Sequence, residues 1–200
     1  MVGAKLAIAQ ISTGDILREA AARGTALGEE ARAYMERGEL VPDDVMLSLV
    51  ESRITEDDCK RGYVLDGFPR TLAQAIGLDG MLEGQGQALD AVIFIDVDDE
   101  EVLRRLSRRR VCPKCNALYS LDADPPKRGG LCDRCGVKLE LRSDDAEATV
   151  RTRLQVYRKD TLPLVDYYDS RGLLHRIDGM PEIETVFGSI LDEISELRRS

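Results

Sequence analysis

Four of the five cysteines in this 200-residue chain fall in two Cys-x-x-Cys units, Cys112/Cys115 ("CPKC") and Cys132/Cys135 ("CDRC"), with sixteen residues between them. That spacing suits four thiolates around one tetrahedral dication, with zinc the expected metal and iron or a metal-free fold as alternatives. Asn116 and Gly136 follow the two units and tolerate the left-handed backbone that a tight knuckle needs. Lys114, Arg134 and Lys138 offset the excess negative charge. Four protein ligands leave no open coordination position, so such a metal would be structural, stapling a segment too small to build its own core. A zinc ribbon can also bind nucleic acid, but Tyr119 is the only aromatic residue near these units, which is thin for stacking bases.

The second constellation is cationic. Arginine supplies 22 of the 28 basic residues, a bias toward the planar fork that grips carboxylates and phosphates with paired hydrogen bonds. In "LDGFPRT", Gly67 permits a close turn, Pro69 fixes it, Arg70 projects a guanidinium, and Asp66 suits the hydration shell of a magnesium ion. Arg18 follows "STGD", Arg105 and Arg109 lie four apart as on one helical face, and Arg142, Arg151 and Arg153 follow the cysteine segment. Each alone reads as a solvated surface arginine; gathered in one crevice they would bind phosphates.

Such a crevice needs a scaffold. "GYVLDGF" (62–68), "AVIFIDV" (91–97) and "GLLHRID" (172–178) read as buried parallel strands separated by helical patterns. This alternation predicts an α/β fold, a doubly wound parallel sheet with helices on both faces, and puts Asp66–Arg70 at a strand's carboxyl end, where such sheets bind ligands. Ser12, Thr13 and Asp15 read as a helix start. A small β-rich insertion is expected between Arg110 and Asp145, then a long helix over 144–172 bent at Pro163, and a final amphipathic helix from about Glu182 to Leu197. His175, the only histidine, reads as strand packing, Cys59 as an unpaired thiol that packs or sits near the surface, and "DVDDEE" as acidic bias at a helix N-terminus.

The net charge of -9 argues against wrapping by nucleic acid. No apolar run approaches the roughly 20 residues of a membrane span, and no signal-peptide pattern is present, so the expected compartment is the cytoplasm.

In order, "ISTGDILR", "GELVPDD", "VLDGFPRTLAQA", "CPKC…CDRC" and "RSDDAEATVRTRL" resemble the bacterial, zinc-lid (long) form of adenylate kinase over residues 10 to 200. The resemblance implies a core domain (1–11, 42–108 and 147–200), an AMP-binding domain (12–41) and a zinc-binding lid (109–146). It implies AMP contacts from Thr13, Arg18, Glu39, Leu40, Val41, Gly67, Phe68, Pro69, Arg70, Gln74, Arg142 and Arg153, with Thr13 and Gln74 as adenine readers. ATP contacts would come from Arg109, Leu118, Tyr119 and Pro181. Arg70, Arg105, Arg109, Arg142, Arg153 and Asp66 would serve the reaction, the reversible transfer of a phosphoryl group from Mg2+-bound ATP to AMP, giving two ADP. Positioning and charge neutralisation suffice for such chemistry, without a covalent nucleophile. The implied partners are ATP, AMP and ADP, with no nucleic acid, no membrane and a monomeric state.

The family opens on a strand and a G-x-x-x-x-G-K-[ST] phosphate loop, whereas this chain contains no Gly-Lys pair. "MVGAKLAIAQ" would match only the end of the following helix and its link to "ISTGD". The expectation is therefore a sheet lacking a central strand and a 200-residue polypeptide with little kinase activity. It fits a start site set too far downstream, or an AMP-binding paralogue without catalysis.

Overall fold

The computed structural model describes residues 1–197 and 199. Its elements are α1 (Val2–Leu6), β1 (Ala9–Ser12), α2 (Thr13–Ala22), α3 (Ala26–Arg37), α4 (Asp43–Ile54), β2 (Tyr63–Asp66), α5 (Leu72–Gly84), β3 (Val92–Asp96) and α6 (Asp99–Arg108). There follow β4 (Arg109–Val111), β5 (Leu118–Ser120), α7 (Glu147–Val156), α8 (Leu164–Asp169), β6 (Leu174–Asp178) and α9 (Ile183–Leu197).

The three strands read from the sequence are β2, β3 and β6, each shorter than its apolar run. A fourth, β1, lies in the stretch expected to be helix end and linker. Its four residues are too few to show a periodicity, and it is pairing that makes them a strand: Ala9 to Ser12 run parallel to Tyr63 to Asp66, and Ile11 is 1% exposed. β3 and β6 form a second parallel pair, Val92 opposite Leu174 through Asp96 opposite Asp178. Among the described residues the two pairs are not hydrogen-bonded to each other, so the parallel strands form two two-stranded ladders.

The helix start read at Ser12 is used, and α3 begins on a cap of the same kind at Thr25. The Ser12 hydroxyl accepts from the Asp15 N–H at 3.4 Å, and the Thr25 hydroxyl accepts from the Gly28 N–H at 3.1 Å, satisfying donors that a helix start leaves free. Gly38 closes α3 with φ 74°, a conformation costly for a residue with a Cβ. α2 and α3 then pack as a hairpin over one core cluster containing Ile11, Leu17, Ala31, Met46, Val50, Ile54, Phe68, Leu78 and Leu82. Burying each such large apolar side chain contributes about 1.5–3 kcal/mol.

The long helix does not bend first at Pro163. α7 ends at Val156, and Tyr157–Thr161 widen into a π turn whose Leu162 N–H donates to the Tyr157 carbonyl at 2.8 Å. α8 starts after Pro163, whose missing N–H costs nothing at a helix start. Cys59 is buried, 2.9 Å from Arg53 Nη1. His175 sits on β6 with Nδ1 2.6 Å from Glu193 Oε1 of α9, so it ties strand to helix beyond simple packing. No described helix is long and apolar enough to cross a membrane.

Candidate functional site

The carboxyl ends of β1, β2 and β3 open on one cavity of about 590 Å³, walled by α2, the 38–41 turn, α7 and the start of the cysteine segment. Thr13, Arg18, Glu39, Leu40, Val41, Asp66, Gly67, Pro69, Arg70, Gln74, Arg109, Leu118, Arg142 and Arg153 all line it, from segments up to 140 residues apart in sequence (13 to 153).

Its charge arrangement was only half legible in the sequence. Asp144 and Asp145, 8% and 1% exposed, are the counter-ions that hold the arginines in place. Asp145 takes Arg109 with two prongs, at 2.7 and 2.5 Å, and Arg153 Nη1 lies 3.5 Å away. Asp144 Oδ2 is 3.5 Å from Arg18, which also donates to Asp15 at 2.7 Å. Both aspartates stand in "RSDD" just ahead of α7, where the sequence reading begins its long helix and assigns them no role at the site.

Two arginines remain under-partnered. Arg70 forms no ion pair among the described residues, its Nε donating to the Gly67 carbonyl at 2.7 Å. Arg142 reaches Asp15 only at 3.9 Å, and its buried Nε has no partner. Burial and then the neighbouring Arg153 cation push the Arg70 pKa down, and burial followed by Arg18 and Arg109 does the same to Arg142. Burial raises the Asp15 pKa, yet the Arg18 hydrogen bond and charge bring it below the ordinary carboxylate value. Crowded, partly desolvated cations of this kind favour a multivalent anion between them, because it relieves their mutual repulsion.

Other expected residues are placed differently. Arg105 and Arg109 do not share a helical face: the chain leaves α6 at Arg109, with ψ 140°, and turns into β4. Arg105 donates instead to the carbonyls of Gly179 and Met180 at 2.8 and 2.9 Å, and with Arg104 it pulls Glu101 down to about 2 through hydrogen bonds. Phe68 and Tyr119 are not among the cavity residues; Phe68 is in the main core, and Tyr119 lies in the core of the cysteine segment. Pro181 also lies outside the cavity lining. Thr13 donates to the Gly67 carbonyl at 3.2 Å and is 1% exposed. Gln74, expected as an adenine reader, is 2% exposed, and both ends of its amide are engaged: Oε1 accepts from Arg70 N–H and Nε2 donates to Asp43, each at 2.8 Å.

The cysteine segment holds a separate centre. The β4–β5 ladder runs antiparallel, and the sulfurs of Cys112, Cys115, Cys132 and Cys135 all lie within 4.8 Å of one another. Four thiolates about 2.3 Å from a central zinc would be ~3.8 Å apart. The closest sulfur pairs are separated by 3.3 to 3.6 Å, so the donor set fits a tetrahedral ion after slight expansion. The two knuckles match: Asn116 N–H donates to the Cys112 carbonyl and Gly136 N–H to the Cys132 carbonyl, with φ 55° and 67° at these two residues. Burial opposes the Cys132 thiolate, but the Tyr119 hydroxyl and the N–H groups of Cys135 and Arg134 bring its pKa down to about 6.

Parallel strand ends, a cleft of convergent arginines and a separate four-cysteine cluster that could hold a metal define the class, an α/β protein with an inserted cysteine segment. Residues 1–173 match the adenylate kinase family. The chain is 51% identical over 189 residues to the adenylate kinase of Archaeoglobus fulgidus, covering 94% of this chain and 87% of the relative. To that of Syntrophobacter fumaroxidans it is 52% identical over 186 residues, covering 93% and 87%. To that of Thermodesulfovibrio yellowstonii it is 50% identical over 186 residues, covering 93% and 86%. The chain belongs to the adenylate kinase family.

Proposed function

We propose that the arginine cleft binds AMP and ATP and supports reversible phosphoryl transfer between them, giving two ADP. The observation that carries this reading is the convergence of Arg18, Arg70, Arg109, Arg142 and Arg153 on one cavity, with Arg70 free of carboxylate partners and the Arg142 Nε buried without one. Arg70, Arg142 and Arg153 would hold the AMP phosphate and the group in transfer, and Arg109 with Leu118 would face ATP. Thr13, Arg18, the 39–41 turn, Gly67 to Pro69 and Gln74 would complete the AMP side, with Tyr119 and Pro181 on the ATP side. Arg105, held against two carbonyls, would act from the rim, and Asp66 would organise the magnesium that accompanies ATP. Residues 12–41 would be the AMP-binding domain and 109–146 the lid, which excludes water as it covers ATP. Zinc held by Cys112, Cys115, Cys132 and Cys135 would staple that lid, and a soluble, cytoplasmic monomer is the form proposed.

Titration calorimetry with AMP, beside a coupled assay for ADP, tests the reading: saturable AMP binding and no affinity for RNA or DNA support it, and absent AMP binding or tight nucleic-acid binding overturns it.

A further inference from the structure

Asp43, the first residue of α4, lies outside the arginine cleft's lining yet sits at the head of a hydrogen-bond chain that ends on it. Its Oδ1 accepts from the Thr71 hydroxyl at 2.9 Å and from Gln74 Nε2 at 2.8 Å. Gln74 Oε1 in turn accepts from the Arg70 backbone N–H at 2.8 Å. From the other side, Thr161, the last residue of the π turn after α7, donates its hydroxyl to the Arg70 carbonyl at 2.8 Å. Both backbone groups of Arg70 are thus clamped by side chains.

We infer that Asp43 is a positioning residue for Arg70: by fixing the orientation of the buried Gln74 amide it sets the backbone from which the Arg70 guanidinium reaches the cleft. An amide has one accepting and one donating end, and a half-turn exchanges them. With Gln74 2% exposed, the Asp43 carboxylate at one end and the Arg70 N–H at the other together make the orientation with oxygen toward Arg70 the stable one. Without it, the Nε2 end is buried and unsatisfied, and a flip would set two N–H donors against each other at Arg70. The π turn serves the same end, since the extra residue it inserts places Thr161 against Arg70. The inference rests on the proposed phosphate-binding reading for its consequence, though not for its geometry.

The test compares Asp43→Ala, Asp43→Asn, Gln74→Glu and the double variant Asp43→Asn/Gln74→Glu. Asp43→Asn keeps an accepting oxygen and is expected to stay within about threefold of the parent in AMP affinity, whereas Asp43→Ala should lose about 10-fold or more. Gln74→Glu sets two carboxylates face to face, so its affinity should recover as pH falls and one proton is shared. The double variant restores a donor, the introduced amide at position 43, opposite the introduced carboxylate and should remove that pH dependence. Amide hydrogen exchange at Arg70 reads the same network without any ligand: slow in the parent and Asp43→Asn, faster in Asp43→Ala. If Arg70 exchange is unchanged in Asp43→Ala while the fold is intact, the inference fails. If exchange responds but the parent binds no AMP, the positioning stands and the nucleotide reading fails. Equal losses in Asp43→Ala and Asp43→Asn, with no pH effect in Gln74→Glu, would also overturn it.

Discussion

Arg109 and Asp145 face each other as a two-pronged ion pair, Nε to Oδ2 at 2.7 Å and Nη2 to Oδ1 at 2.5 Å, with the Asp145 side chain fully buried. The pair fastens the first residue of β4 to the turn before α7, closing the cysteine segment at its base. Asp145→Ala would leave the Arg109 and Arg153 cations without that acceptor. Breaking a buried pair costs about 3–5 kcal/mol, and because Arg109 is 26% exposed the low end applies. A denaturant midpoint that falls by less than the equivalent of ~1 kcal/mol would contradict this.

Arg142 offers a sharper ligand test. Its side chain is 10% exposed, and among the described residues its ion-pair partner is Asp15 at 3.9 Å. Arg142→Ala is expected to weaken AMP binding by about 10²-fold, and Arg142→Lys to recover little, since an ammonium lacks the two-pronged fork. Stability should stay level or rise, because a crowded cation is removed. AMP titration and a melting curve on the same samples separate the two effects.

Metal removal should act locally. The Cys112, Cys115, Cys132, Cys135 cluster is distant in sequence from the main core, and its own buried set is small. Chelation, or Cys132→Ser, is expected to release one zinc per chain and unfold the β4–β5 segment, with β1, β2 and α2 to α5 unaffected. Atomic emission for zinc and residue-level hydrogen exchange check this; uniform loss of protection would show that the metal holds the whole chain.

Among the glycines, Gly28 leaves the least room for a side chain, at the contact of α3 with the end of α2. A Cβ there would lie 2.1 Å from the Ala20 carbonyl carbon and 2.2 Å from the Ala21 nitrogen, both backbone atoms that cannot turn aside. Gly28→Ala gains helix propensity of about 1 kcal/mol, yet it must pry α3 from α2 at an overpacking cost of about 1–3 kcal/mol or more. Net destabilisation and weaker AMP binding are expected; a raised melting temperature would refute this packing.

Acid should expose the Glu101 anchor. Hydrogen bonds from Arg104 and then Arg105 hold Glu101 at about 2, below its ordinary 4.5. A depressed carboxylate stabilises the fold fully above its unfolded pKa and loses that contribution as pH falls toward the folded value. The stability gap between the parent and Glu101→Gln should therefore be constant at pH 6–7 and narrow below about pH 4.5. Urea midpoints at pH 7, 5, 4 and 3 measure it, and a gap that widens in acid would mean the pairing is not there.

Short-range signals were readable without a fold. The two cysteine units, their Asn116 and Gly136 knuckles, the Ser12 cap and the turn from Gly67 to Arg70 each depend on residues within a few positions of one another. The strand in Ala9–Ser12 was not readable, because four residues with one buried side chain carry no period. Pro163 pointed to a bend, but the helix widens before it, at Tyr157–Thr161, where Thr161 reaches Arg70.

The sequence by itself determined which residue types were available: many guanidiniums, four thiolates in matched pairs, and apolar runs that must be buried strands. Only the tertiary structure decided their roles. It made Asp144 and Asp145 buried counter-ions, sent Arg105 to carbonyls and Arg109 to a carboxylate, and set the Gln74 amide between Asp43 and the Arg70 N–H. The physical reason is that a charged or amide side chain takes its role from what lies opposite it once water is removed, and those partners come from distant segments, Asp144 standing 126 residues from Arg18.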